Sequence, residues 1–328
     1  MDKKDLKILF MGTPEFAVDS LRALLDGGYN VVGVVTMPDK PAGRGHKMQF
    51  SAVKQYALEQ GLLVFQPEKL KSSEFLQQLN ILNVDLQIVV AFRMLPEVVW
   101  NMPKFGTFNL HASLLPDYRG AAPINWAIIN GEKETGVTTF FLTYEIDTGA
   151  VIFQEKIPIL EEDNAGSIHD KLMRIGANLV TKTVDGIISN DIHPVPQSNL
   201  IDNTKEPKLA PKIFKETCKI DWSKDAWSIF NFIRGLSPYP TAWTEFIHPE
   251  DGIIPVKVID SQVILMKHDL PVGTIKTDEK TFVDISVCNG FIRLKNIQLP
   301  SKKRMNIADL LRGYKITEEF KVNFDFGK

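Results

Sequence analysis

Near-continuous apolar runs place the tightest limit on what this chain can fold into. LKILFMG (6–12), VVGVVT (31–36) and LQIVVAF (86–92) carry almost no polar residue at either alternating set of positions. A strand tolerates apolar side chains on both faces only when both faces are covered, the situation of a parallel sheet sandwiched between helices. Between the runs the spacing becomes helical. Phe16, Leu21, Leu24 and Leu25 form one stripe closed by Gly27-Gly28, with Thr13 expected as N-cap and Pro14 as the first helical residue. Ser51 is expected to cap a second helix ending near Gly61. GTFNLHAS (106–113) is a further strand, followed by a helix around PINWAIING. VTTFFLTY and AVIFQEKIPI flank Asp147-Thr148-Gly149, and a long helix is expected over roughly 165–189. This alternation predicts an α/β fold with a doubly wound, mostly parallel, Rossmann-like sheet.

The pattern changes near residue 190. NDIHPVPQSNLIDNTKEPKLAPK is rich in Pro, Asn and Lys and has the composition of a linker. One helix is expected around 223–236. AWTEFI, PVKVID, VGTIKT, TFVDISV and FIRLKNIQL then follow at the spacing of a small β-barrel or sandwich, with a short helix through NIADLLRG. The expected organisation is a domain over 1–189, a linker over 190–209 and a second domain over 210–328.

Charge narrows the function classes. The 328 residues carry a net charge of -2, so a whole-chain polyanion binder is excluded and any nucleic-acid contact must come from local patches. Two patches qualify. The loop MPDKPAGRGHK (37–47) sets Lys40, Arg44 and Lys47 against Asp39, and Lys302-Lys303-Arg304 lies in the β-rich half. Runs this short are more often solvated faces, although a basic loop at the ligand edge of an α/β sheet also suits phosphate. Cys218 and Cys288 lack metal or redox spacing and read as reduced thiols of a cytosolic protein. Pro14 and Glu15 interrupt the N-terminal apolar run, and nothing approaches the roughly 20 apolar residues of a membrane span. A cytoplasmic protein without a membrane partner is expected.

The chemistry gathers in NLHASLLPDYRGAAP. Asn109, His111 and Ser113 stand at every second position, and on a strand such residues share a face. At the carboxyl end of a central parallel strand they would border the crevice where open α/β sheets bind ligands. An imidazole there exchanges a proton near neutral pH, and an amide can hold an oxyanion. A lone histidine is more often a satisfied core group. Asp147, in a tight connection between two apolar runs, can cap its own turn or orient His111. An aspartic-protease reading of Asp-Thr-Gly needs two such triplets, and the chain has one. Ser113 lacks a nucleophile elbow, and GTPEFA has one glycine where a dinucleotide fingerprint has three. No metal-ligand spacing is present, and no metal is expected.

With these residues in view, the sequence resembles the methionyl-tRNA formyltransferase family. The matching segments are GTPEFA (12–17), PDKPAGRG (38–45), FQPEKL (65–70), NLHASLLPDYRGAAPI (109–124), ETGVT (134–138), DTG (147–149), IDWS (220–223) and LPSKKRM (299–305). The resemblance implies 10-formyltetrahydrofolate as co-substrate and initiator methionyl-tRNA as partner, in a monomer. It implies a catalytic trio of Asn109, His111 and Asp147, and a folate-binding segment of Ser113, Leu114, Leu115 and Pro116. It further implies that the loop with Lys40, Arg44 and Lys47 meets the tRNA acceptor end. A C-terminal OB-like barrel with Lys302, Lys303 and Arg304 would hold the tRNA body. One segment departs from the family: VVAFRMLPEVV replaces an Ala-Tyr-Gly stretch that has one more residue before Leu-Pro, which makes Arg93 a candidate new pocket contact. Two rival readings stand beside this one. A formyltransferase acting on a nucleotide-sugar amine or glycinamide ribonucleotide would need neither basic loop nor this C-terminal half. An inactive RNA-binding protein would not need the intact trio.

Overall fold

All five residues of the strand Ile8–Gly12 (β1) are buried, as its uninterrupted apolar character requires. The computed structural model describes residues 2–42, 47–202, 204, 206–248, 250 and 252–323. The chain divides into two units, one of residues 1–120, 134–157 and 169–209, the other of residues 121–133, 158–168 and 210–328.

In the first unit β1 is followed by α1 (Glu15–Asp26), β2 (Val31–Val35), a hairpin of β3 (Lys40–Ala42) and β4 (Lys47–Gln49), α2 (Ala52–Glu59) and β5 (Val64–Phe65). Then come α3 (Ser73–Leu82), β6 (Leu86–Val90), α4 (Glu97–Trp100), β7 (Thr107–His111) and β8 (Arg119–Gly120). After α5 (Pro123–Ile129) in the second unit, β9 (Glu134–Phe141), β10 (Val151–Pro158) and α6 (Ala165–Ser189) complete the first unit's seven-stranded sheet and its cover, with residues 158 and 165–168 counted in the second unit. The sheet order is β10-β9-β7-β6-β1-β2-β5. Pairs β5-β2, β2-β1, β1-β6 and β6-β7 are parallel, and β9 joins β7 antiparallel. The chain thus winds outward from β1 in both directions, first to β2 and later to β6. The doubly wound, mostly parallel sheet matches the sequence expectation, and its carboxyl edge is set by Gly12, Val35, Val90 and His111.

Local chemistry fixes the helix starts. Ser51 accepts from the Lys54 amide, a cap that contributes about 1 kcal/mol. Thr13 is not the cap of α1. Pro14 keeps an extended ψ of 175° and takes the N-cap position, so the helix begins at Glu15 and the Thr13 hydroxyl is buried without a partner. Acidic Glu15 in the first turn favours the positive end of the helix dipole instead.

The division between the units falls within β11 (Leu209–Ala210); in the second unit α7 (Ala226–Gly235) precedes β12 (Ala242–His248), β13 (Gly252–Leu265), β14 (Ile275–Thr277), β15 (Val283–Val287) and β16 (Gly290–Gln298). Then follow β17 (Met305–Asn306), α8 (Ile307–Leu311) and β18 (Lys321–Val322). The antiparallel order β14-β15-β16-β13-β12-β18 brings its two edges together, because Thr274 bridges Lys321. The sheet is therefore a nearly closed barrel, as the strand spacing predicted. Its core holds Trp222, fully buried with the indole N–H donating to Thr244 Oγ1 at 2.9 Å. Among the described residues no helix is long and apolar enough to cross a membrane.

Candidate active site

His111 is the last residue of β7, in register with Thr138 of β9, and its side chain is buried. Its Nε2 lies 2.9 Å from the carbonyl oxygen of Tyr118. A carbonyl only accepts, so Nε2 carries a hydrogen and Nδ1 is the nitrogen left to gain or lose a proton. Nδ1 lies 3.9 Å from Asp147 Oδ2, too far for a hydrogen bond but close for opposite charges. Tyr118 therefore orients the ring, and Asp147 supplies a facing negative charge.

The loop between β9 and β10 holds Asp147 in a left-handed conformation, φ 55°, which aspartate tolerates better than most residues. Its Oδ2 accepts from the Gly120 amide at 3.0 Å, which aims the carboxylate back toward His111. Gly149 is obligatory at the loop's base: a Cβ there would overlap the carbonyl oxygen of Phe141.

Asn109 lies two residues before His111 on the same face of β7 and is half-buried. Among the described residues its side-chain amide has no hydrogen-bond partner. Ser113 is differently placed. Strand β7 ends at His111, so alternation no longer governs Ser113; its buried hydroxyl donates to the Asp117 carbonyl at 2.7 Å and closes the turn. The Thr138 hydroxyl and Gln154 amide bind the backbone of Ser113 and Leu115. Leu115 packs with Phe140 and Val151, while Leu114 and Pro116 remain half-buried. Leu114 has room because residue 136 is glycine, where a Cβ would strike its side chain.

An apolar wall extends from this turn. Leu142 packs against both the Leu115 cluster and the cluster that includes Phe92 and Leu95. The Arg93 guanidinium donates to the carbonyls of Pro67 and Glu68, and burial pushes it below its ordinary pKa. It clasps the segment after β6 to residues 67–68. Among the described residues the backbone of Arg93 and Met94 makes no hydrogen bond, which leaves a donor-acceptor edge open.

Of the basic residues, Lys40 is exposed on the β3–β4 hairpin. Arg44 and the Lys47 side chain lie outside the described residues. Asp39, at the stem, is engaged by Lys54 and Gln66, whose hydrogen bonds hold its carboxyl below the usual range. Lys302, Lys303 and Arg304 are exposed in the second unit, where Arg304 Nη2 donates to the Pro238 carbonyl at 2.9 Å. Sequence reasoning did not single out Gln154, Tyr118 or Gln197 as parts of the site. Gln154 and Gln197 lie in no motif, and Tyr118, although inside NLHASLLPDYRGAAP, meets His111 through its backbone carbonyl, which side-chain chemistry does not announce.

Comparison with known proteins adds an independent finding. The family model described as formyl transferase matches residues 6–184, and the one described as formyl transferase, C-terminal domain, matches residues 212–315. A methionyl-tRNA formyltransferase of Bacteroides thetaiotaomicron is 58% identical over 323 residues, covering 98% of this chain and 100% of its own length. One of Parabacteroides distasonis is likewise 58% identical with the same coverage. Among solved structures, WlaRD, a sugar 3N-formyl transferase crystallised with dTDP and 5-N-formyl-THF, superposes with a TM-score of 0.63 at 23% identity. That superposition covers 91% of this chain and 99% of the other.

Proposed function

The chain belongs to the formyl transferase family, and from that premise we propose that it moves a formyl group from 10-formyltetrahydrofolate to the α-amino group of methionine on initiator methionyl-tRNA. The product serves translation initiation. The carrying observation is the unpartnered amide of Asn109 beside His111, whose other ring nitrogen is already committed to Tyr118.

That arrangement suits acyl transfer to an amine. As the amine attacks, charge builds on the formyl oxygen. The Asn109 amide and a protonated His111 Nδ1 are donors on one face that can hold it, each at about 3 kcal/mol. Asp147 balances the charge of a proton on Nδ1, so a proton leaving the amine has an acceptor within the site; as the tetrahedral centre collapses, the formyl C–N10 bond breaks and N10 gains a proton, releasing tetrahydrofolate. The wall of Phe92, Leu142 and Leu115 and the open backbone edge of Arg93 and Met94 fit a flat ring with donors and acceptors on its rim. In this reading Leu114 and Pro116 face the folate, and Ser113 and Leu115 shape the turn that presents them. We take 1–189 as the catalytic domain, 190–209 as the connection and 210–328 as the OB-like tRNA-binding domain.

The decisive assay supplies 10-formyltetrahydrofolate with charged initiator tRNA, charged elongator tRNA, a nucleotide-sugar amine or glycinamide ribonucleotide. Formylation of methionine on the initiator alone is expected. Formylation of either small amine with none on tRNA would overturn the reading.

The exposed cations Lys40, Lys302, Lys303 and Arg304, with Arg44 and Lys47, are assigned to tRNA. Arg44 lies between two glycines, which give its backbone unusual freedom, and its planar fork can grip a phosphate. Arg44→Ala is expected to lower kcat/KM for charged tRNA with folate binding intact, and Arg44→Lys to cost less. If the partner is a phosphate, the salt dependence of Arg44→Ala flattens by about one unit of log-log slope or less. Parental kcat/KM at every salt concentration would remove Arg44 from the interface.

A further inference from the structure

The segment whose composition reads as a linker contains a buried polar side chain. Gln197, in a short helical turn over Gln197–Asn199, is only 3% exposed. Its Nε2 donates to the backbone carbonyls of Asp147 at 2.8 Å and Gly149 at 2.9 Å. Its Oε1 accepts from Arg119 Nε at 2.9 Å and Nη2 at 2.6 Å. The orientation of the amide is forced, because Arg119 offers only donors and the two carbonyls only accept. Glutamine is the one side chain of this length that presents an acceptor and a two-hydrogen donor together. All four bonds join residues 119, 147, 149 and 197 within the first unit.

These contacts meet at Asp147. The loop over 143–146 is exposed, with Tyr144 at 86% and Ile146 at 63%, so it has little packing of its own. Asp147 is held in a left-handed backbone conformation, which relaxes unless its neighbours over-determine it. The Gly120 amide grips its carboxylate, and Gln197 grips its carbonyl and that of Gly149. Through Arg119, Gln197 also steadies the residue between Tyr118, which orients His111, and Gly120, which aims Asp147. We infer that Gln197 is a positioning residue, which keeps Asp147 and the Tyr118–Gly120 segment in register with His111 during formyl transfer. The inference rests on the assignment of His111 and Asp147 to the catalytic trio.

The test uses the full chain, initiator methionyl-tRNA and 10-formyltetrahydrofolate. Gln197→Ala is expected to lower kcat about 100-fold, the scale of an ångström-size misplacement of a reacting group, with KM for both substrates within about threefold of the parent. Gln197→Glu keeps the acceptor for Arg119 but sets an oxygen against two carbonyls, so it should fall as far as Gln197→Ala while matching the parent in length. It carries the comparison if the alanine variant does not fold. Because Gln197 acts through Asp147, adding Gln197→Ala to Asp147→Asn should slow the single variant by less than about threefold. Multiplying effects, a parental kcat in Gln197→Ala, or a loss that appears only as raised KM would overturn the inference while leaving the trio intact. A parental kcat in Asp147→Asn would instead overturn the trio assignment, and the inference with it.

Discussion

His111→Ala is expected to lower kcat by about two to four orders of magnitude while tRNA affinity stays near that of the parent. Two losses combine in that figure: a donor facing the developing oxyanion, and the group that moves a proton opposite Asp147. Neither is made in the ground state with tRNA, so the effect belongs in turnover and not in binding. The substitution also removes the buried hydrogen bond from His111 to the Tyr118 carbonyl, which costs about 1 kcal/mol of stability. Thermal unfolding of the variant separates that cost from the chemistry. His111→Gln, with a donor amide of similar reach, should recover stability without recovering most of the rate. Single-turnover formylation is the measurement, and a rate within a few-fold of the parent would remove His111 from the mechanism.

Gly149→Ala is expected to damage both stability and catalysis. Its added methyl would occupy the space of the Phe141 carbonyl oxygen, a backbone atom that no rotamer change can move. The strand end that Phe141 and Ala150 share through a 3.0 Å hydrogen bond must open, at about 1–3 kcal/mol for overpacking alone. Opening it displaces the Gly149 carbonyl from Gln197 and with it the loop that carries Asp147. The expected outcome is a lower Tm together with a kcat reduced about 100-fold. Gly313→Ala, where a Cβ meets nothing within 4 Å, is the control and should change neither. A Gly149→Ala enzyme with parental turnover would show that the Asp147 loop can be displaced without cost to the reaction.

The parts of this architecture that depend on local periodicity are readable before any coordinates. Strands β1 and β6 are apolar on both faces because both faces are buried, and helix α6 follows its amphipathic stripe from Ala165 to Ser189. Asn109 and His111 are legible for the same reason, as polar residues at alternate positions of a buried strand. Where periodicity stops, the reading fails. Ser113 lies beyond the strand end, where the bond from its hydroxyl to the Asp117 carbonyl, and not alternation, decides its direction. Thr13 yields the cap to Pro14 because proline sets the turn's dihedrals. Gln197 is invisible in sequence, since its partners at 119, 147 and 149 lie 48 to 78 positions away and two of them are backbone carbonyls. Composition correctly marks that stretch as polar but cannot tell a bonded polar group from a solvated one.

The meeting of the barrel's two edges has a practical consequence for anyone trimming the C-terminus. The family match ends at residue 315, yet the seam is closed by residues beyond it: Lys321 and Val322 pair with Ile247 and Phe246, and Lys321 bridges Thr274. Phe320, 2% exposed, stacks on His248 with ring centroids 4.4 Å apart and meets Phe246 edge-on. Cutting the chain at the family boundary would strip a strand and an aromatic plug from β12, leaving bare amides and carbonyls beside freshly uncovered Phe246. Such an edge templates pairing with other chains. A protein shortened to residue 315 should therefore scatter light on warming at temperatures where the full-length chain stays clear.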